Sequence, residues 1–343
     1  MRELKRDKKG RFVSNGVHGF KGFKNGLVCC PDSAPFRYKD GETFTMDGWI
    51  EPCRKGFHFC IRPIDVFTFY PPILGNEYAC VTALGRVKHT DDKSKSVTNT
   101  LRVDAKLSYA DFADYAYHSL RQDSPQGQRV ITADGEIHTG GVFDDESICI
   151  TQQEYDVAEC SGEYSVAIVT AEHSISRALD IGSVSVATDW YSIAQTERDR
   201  SAAICSRSRS LAVTKDSESV AAVLYTGTAC CTGHNSAAVA IGGYAQAGGY
   251  GSVAVAVGDW DAGVSLAAAS TPGAVAMNVT PGGLVKGVKG SWLCAMVYED
   301  NISGDPIQLL TAQVDGVKLK ENTWYAATKD GWKEVTLSDE TKP

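Results

Sequence analysis

The residues best equipped for chemistry cluster in one stretch, Gly56-Phe-His-Phe-Cys-Ile-Arg-Pro-Ile-Asp-Val-Phe-Thr-Phe-Tyr70, with Lys21-Gly22-Phe23 upstream. Within it His58 alternates with Phe57 and Phe59, so on a strand it faces the opposite side from them. Lys21, Phe23, His58, Cys60 and Tyr70 are the set from which a ligand pocket would be built. A purely structural reading fits the same residues. Phe57, Phe59, Val66, Phe67 and Tyr70 would be core, Pro63 would open a helix over 63–70, and His58 would be a partly exposed strand residue. Residue types leave both readings open, and they assign no catalytic residue.

Other chemistry is sparse. The histidines at 18, 58, 89, 118, 138, 173 and 234 form no HExxH or paired spacing, so neither a metal nor a cofactor is expected. Eleven cysteines include the neighbours Cys29-Cys30 and Cys230-Cys231 but no CxxC. Adjacent thiols make poor zinc ligands, and the expectation for most cysteines is a reduced, structural role inside a cell. Asp91-Asp92 and Asp144-Asp145-Glu146 read as solvated loop carboxylates. Gly242–Gly251 is glycine-rich but lacks the Lys-Ser/Thr of a phosphate loop, and no GxSxG occurs.

The elements that must position these residues belong to a chain dominated by a nine-residue repeat. From Ser147 the frames SIC, DVA, SVA, SIS, SVS, SIA, SAA, SLA, SVA and TAC recur, with a small third residue each time, from Cys149 to Cys230. The register slips and continues through Ser236-Ala-Ala and Ser252-Val-Ala. A short alternating stretch followed by four polar or glycine residues is a strand and a corner, and the composition disfavours helix. Repeats of this kind stack, because none can bury its apolar face alone. The fourth position alternates apolar and polar (Ile150, Glu159, Ile168, Arg177, Val186, Gln195), which predicts a parallel β-solenoid with two repeats, or eighteen residues, per coil. A core of Ala and Ser buries little apolar area. The expectation is therefore that second-position Val and Ile point inward, with small residues forming a flat outer face suited to self-association.

The fold class is thus mainly β: a solenoid over 147–280, flanked by a small α+β domain (17–123) and a C-terminal β cap (285–340). A basic leader (1–16) precedes the first domain, and a turn-rich bridge (124–146) carries a hairpin around Asp134-Gly135. A helix is expected over 109–122. The cap strands are expected at 291–296, 307–314, 323–327 and 332–335, with Trp292, Trp324 and Trp332 covering the end of the solenoid. Net charge is −8, which disfavours a general nucleic-acid binder. Eight Lys/Arg within residues 1–24, against Glu3 and Asp7, leave nucleic-acid contact to a basic N-terminal arm. No apolar run reaches eighteen residues and no signal-peptide pattern is present, so no membrane association is expected.

Three resemblances bear on function. The solenoid units, as in Ser252-Val-Ala-Val-Ala-Val-Gly258, resemble the β-roll of trimeric autotransporter heads. The Lys21-Gly-Phe and Gly56–Tyr70 motifs, with Lys289-Gly-Ser-Trp292 and Thr323-Trp-Tyr325, resemble an uncharacterised family of phage and prophage proteins. Gly56-Phe-His-Phe-Cys60 is also similar to a strand of ADP-ribosyltransferase folds, which implies His58 stacking on a nicotinamide ring and Glu77 or Glu136 polarising a ribose. His18 is the sole first-strand histidine for that pattern, and Cys60 stands where Ser or Thr is usual. The expected function is a non-enzymatic phage interaction protein of the host cytoplasm, a solenoid rod or oligomerisation scaffold with a domain recognising a host protein or small ligand. Counteracting a host defence fits that role. The alternatives are a virion accessory protein and an enzyme of the transferase type.

Overall fold

The computed structural model describes residues 16–29, 35–73, 76–123, 129–131, 137–139, 145–146, 148–258, 265–299 and 305–337. The basic residues from Arg2 to Arg11, Asp134-Gly135 and Glu136 lie outside them. Two compact units emerge, one from residues up to 70 with 76–112, the other from 71–75 with 113 onward.

The first unit contains β1 (Val17–Phe23), β2 (Val28–Cys29), β3 (Phe36–Arg37), β4 (Thr43–Thr45), β5 (Phe57–Phe59), β6 (Glu77–Ala83), β7 (Val87–His89), β8 (Ser96–Thr98) and β9 (Thr100–Leu107). An antiparallel sheet runs β1-β6-β9-β4, and a second runs β5-β8-β7. Their junction is a pair of hydrogen bonds: Phe20 N donates to Cys60 O at 2.7 Å, and Cys60 N to Phe20 O at 2.8 Å. The expected helix over 63–70 shrinks to one turn, α1 (Val66–Phe69). Pro63 and Pro71 bracket it, and Val and Phe are poor helix formers. The unit is therefore more strand-rich than the α+β expectation. Phe67, Tyr78 and Phe112 form its aromatic centre, with Phe67 stacked on Phe112 at 5.1 Å.

Helix α2 (Tyr109–Asp123) matches the expected 109–122, and the boundary between the units falls within it. Beyond it the chain coils into a parallel β-solenoid of about eight turns. Among the described residues its strands fall in a twelve-stranded and a ten-stranded sheet, visited alternately. Val166 pairs with Val184, Val184 with Ala202, and Ala202 with Val220, giving the expected eighteen-residue coil. Later coils shorten and lengthen: Ala237 pairs with Val253, and Val253 with Val275.

The direction of the side chains reverses the expectation. Third- and fifth-position residues such as Ala167, Val169, Ala194, Ala203 and Cys205 are fully buried between the sheets. The second-position Val and Ile of the twelve-stranded sheet point outward and stay partly exposed. Two four-residue strands closed by short corners leave a thin gap, filled at the third position by Ala, Ser or Cys and at the fifth by residues no larger than Val169 and Val223. First-position serines are buried too, in a ladder that satisfies them. Ser165 N donates to Ser183 Oγ at 3.2 Å, and Ser183 Oγ donates to Gly162 O at 3.1 Å. The same pattern repeats at Ser174 and Ser192. The thin interior is supplemented on the ten-stranded sheet, whose outer face is buried as well. There Ile175, Ile193, Leu211 and Leu266 are each fully buried, worth about 1.5–3 kcal/mol per side chain.

Part of that outer face lies under residues 113–123 of α2. Asp114 pairs with Lys215 at 2.6 Å and accepts from Gln195 Nε2 at 2.8 Å, while the Arg177 guanidinium sits 3.9 Å from the Tyr117 ring centre. Antiparallel strands are added at both ends of the twelve-stranded sheet and at the last rung of the ten-stranded sheet. Arg129–Ile131, hairpin-paired with Ile137–Thr139, runs antiparallel to the first rung at Ile148–Thr151. At the other end parallel pairing continues through Leu284–Gly287 and Trp292–Tyr298. Pro306–Gln313 and Trp324–Thr328 then add antiparallel. Trp324 is buried and Trp332 packs on the interior, but Trp292 is 46% exposed. It occupies the outward second position of its rung and does not cover the end.

Among the described cysteines, Cys149 and Cys160 form a disulfide across the first coil and eight are free. The reduced state expected for most cysteines thus does not extend to this pair, whose inward positions bring their Cα atoms to 6.0 Å.

Candidate functional site

Two glycines bring the chemistry-bearing strands of the first unit together. A Cβ on Gly22 would lie 2.4 Å from Tyr70 Cβ, so only glycine lets β1 pass the ring. Gly56 has φ +126°, and a Cβ there would meet Val97 Cγ2 at 2.3 Å. This is the backbone freedom that makes glycine necessary. The result is a cavity of about 550 Å³ between the two sheets and α1, within the range of small-molecule sites.

Lys21, His58, Cys60 and Tyr70 all line this cavity. Phe23 does not; it is fully buried behind the wall, with Lys21 Nζ 5.4 Å from its ring centre. Sequence reasoning missed the far wall (Phe36, Tyr38 and Phe44) and the basic rim (Arg54, Lys55 and Lys95). Tyr38 packs edge-on against Phe23, Phe36 and Phe44 at 4.8–5.3 Å. These residues sit in loops and two- or three-residue strands, which carry too little periodicity to read from sequence.

Lys21 is only 7% exposed. It is therefore not the solvated tail residue that its basic neighbours in the sequence suggest. Its Nζ donates to His58 O at 2.7 Å and lies 5.3 Å from the Tyr38 ring centre. Among the described residues no carboxylate is within ion-pair distance of it, and none lines the cavity. His58 Nε2 accepts the Cys53 amide at 2.9 Å. Burial, with the charges of Lys21 and Lys95, pulls the imidazole down to about 4, so the ring is neutral near pH 7. Burial and the Asp65 carboxylate push the Cys60 thiol up to about 12, which keeps it protonated and a poor nucleophile. Burial also raises the Tyr38 hydroxyl, which has no hydrogen-bond partner among the described residues.

Of the other residues implied for transferase chemistry, His18 and Glu77 are placed elsewhere, and Glu136 lies outside the described residues. His18 Nδ1 lies 3.1 Å from Thr82 Oγ1. Glu77 pairs with Lys106 at 2.7 Å and accepts the Leu27 amide, and it does not line the cavity. Among the described residues no group of three or more His, Cys, Asp or Glu is arranged to hold a metal ion. No helix there is long and apolar enough to cross a membrane. The arrangement can therefore hold a ligand by stacking and positive charge, with a neutral imidazole and a protonated thiol at its wall.

No curated protein and no solved structure matches the chain. Residues 17–114, which contain every described residue lining the cavity, match a family model described as a domain of unknown function, DUF7666.

Proposed function

We propose that this protein is a non-enzymatic interaction protein, in which the solenoid is a self-associating scaffold and the N-terminal domain recognises a host protein or small ligand. The observation that carries this reading is the outer face of the twelve-stranded sheet. From Ile148 to Met296 its outward rung positions are Ile, Val, Ala, Met, Trp and Cys, with no charged or amide side chain. Nine parallel rungs about 4.8 Å apart, each presenting about 13 Å of strand, make a face on the order of 500 Å². A pair of copies joined there would bury on the order of 1,000 Å², the lower limit for a specific interface. Apolar patches of this size on soluble proteins mark contact surfaces.

Native mass spectrometry combined with light scattering tests the scaffold. The intact protein is expected as a multimer, and Val186→Lys with Val255→Lys on the outer face is expected to give a folded monomer. A wild-type protein that stays monomeric at tens of micromolar overturns self-association. A phage or prophage source, the host cytoplasm and a role against host defence rest on the motif resemblance and form part of the same proposal. Co-purification with virus particles would favour the virion accessory role instead. The transferase alternative has His58 at the cavity in its favour, and it requires that His58→Ala abolish a measurable transfer while the fold persists.

A further inference from the structure

We infer that the cavity of the N-terminal domain binds a phosphate-bearing ring compound of mononucleotide size, with the anion held by Lys21 and the ring stacked on the aromatic wall. This rests on the recognition reading above and names its ligand class. The first observation is the state of Lys21. An ammonium group offers three donors, and here one is used, on His58 O. Its other contacts are the faces of Phe23 and Tyr38, which stabilise a cation without neutralising it. An ammonium buried without a carboxylate is poorly compensated, and a bound anion inside the cavity would compensate it.

The second observation is the sign of the surroundings. Arg54, Lys55 and Lys95 line the same cavity with Lys21, and among the described residues no carboxylate does; Arg54 alone pairs with a carboxylate, that of Glu51 at 3.7 Å. Three lysines without an ion-pair partner among the described residues suit a doubly charged group better than a single carboxylate. The third is shape and surface. Phe36, Tyr38, Phe44, Phe57 and Tyr70 supply flat apolar faces around a volume that holds a nucleoside phosphate, while the Phe69 ring lies under Lys95 Nζ at 3.7 Å. The Tyr38 hydroxyl and the neutral His58 ring add polar groups that carry no competing charge.

Isothermal titration of the intact protein with AMP and UMP, with adenosine and uridine, and with inorganic phosphate tests this. At least one nucleotide is expected to bind tenfold or more tightly than its nucleoside and than inorganic phosphate. Lys21→Met should weaken nucleotide binding at least tenfold and nucleoside binding several-fold less than that, whereas Lys21→Arg should retain most of the nucleotide affinity. If Lys21→Met does not fold, Lys95→Ala at the rim should weaken nucleotide binding several-fold. Equal affinity for nucleotide and nucleoside, or a folded Lys21→Met variant that binds as the parent does, overturns the anion site. So does an unchanged affinity in Lys95→Ala. Inorganic phosphate binding as tightly as a nucleotide overturns the stacked ring. A nucleoside that binds where nucleotides do not leaves the recognition module standing and removes only the anion. No binding by any of these compounds at millimolar concentration removes small-ligand recognition as well.

Discussion

At the scale of single residues, His58 and Gly22 give the clearest consequences. Burial and the charges of Lys21 and Lys95 pull the His58 imidazole down to about 4 in the fold, against about 6.5 in an unfolded chain. The unfolded state therefore takes up the proton first. Stability from this group is complete above about 6.5 and is lost as pH falls toward the folded value. Chemical denaturation between pH 7 and 4 should show this decline, and His58→Gln should flatten it. A slope unchanged in that variant would place the effect on other groups. Gly22→Ala should cost about 1–3 kcal/mol by forcing Tyr70 off its site, visible as a lower Tm. The cluster of Lys21, His58, Cys60 and Tyr70 was legible because its residue types are unusual for a plain strand. The burial of Lys21 was not, since its place among basic neighbours reads as a solvated tail until β1 is paired with β6.

At the scale of elements, alternation along a strand declares that two faces exist but not which one is inside. The coil length, the α2 helix and the terminal strands were all readable, because each rests on a local period. The inward direction depends on the gap between two sheets, a property of the closed coil that no single repeat contains. Ala203→Leu in the interior should accordingly cost about 1–3 kcal/mol or more by overpacking, while Ile204→Thr on the outer face should cost less than Ala203→Leu. Equal losses of Tm in the two variants would contradict the packing described. The contact of α2 with the ten-stranded sheet is electrostatic in part. Burial of Glu197 works against its ionisation, but Lys215 and Arg177 outweigh it and hold the carboxyl below its ordinary value. Stability from Glu197 is thus present at neutral pH and declines as acid protonates it. Lys215→Met should remove part of that acid sensitivity in the same denaturation series.

At the scale of the whole molecule, the chain comprises a pocketed domain, a repeating body and antiparallel strands added at the ends of that body. Removing residues 305–343 would strip the antiparallel strands from the last rungs and leave open edges. Concentration-dependent end-to-end association is the expected result, read by light scattering. The corners of the coils hold a different resource. The residue before each first-position serine adopts φ between +54° and +62° at Tyr164, His173, Tyr191, Arg200, Arg209 and Glu218, where glycine would be at ease. Tyr155, His173 and Tyr191 stack in file at 5.0 and 4.9 Å, followed by Arg209 over Tyr191. Each corner gives up some backbone ease to keep a side chain there. Whatever is written at 155, 173, 191 and 209 is therefore displayed in single file, like type set on a rail, and can be rewritten letter by letter without disturbing the interior.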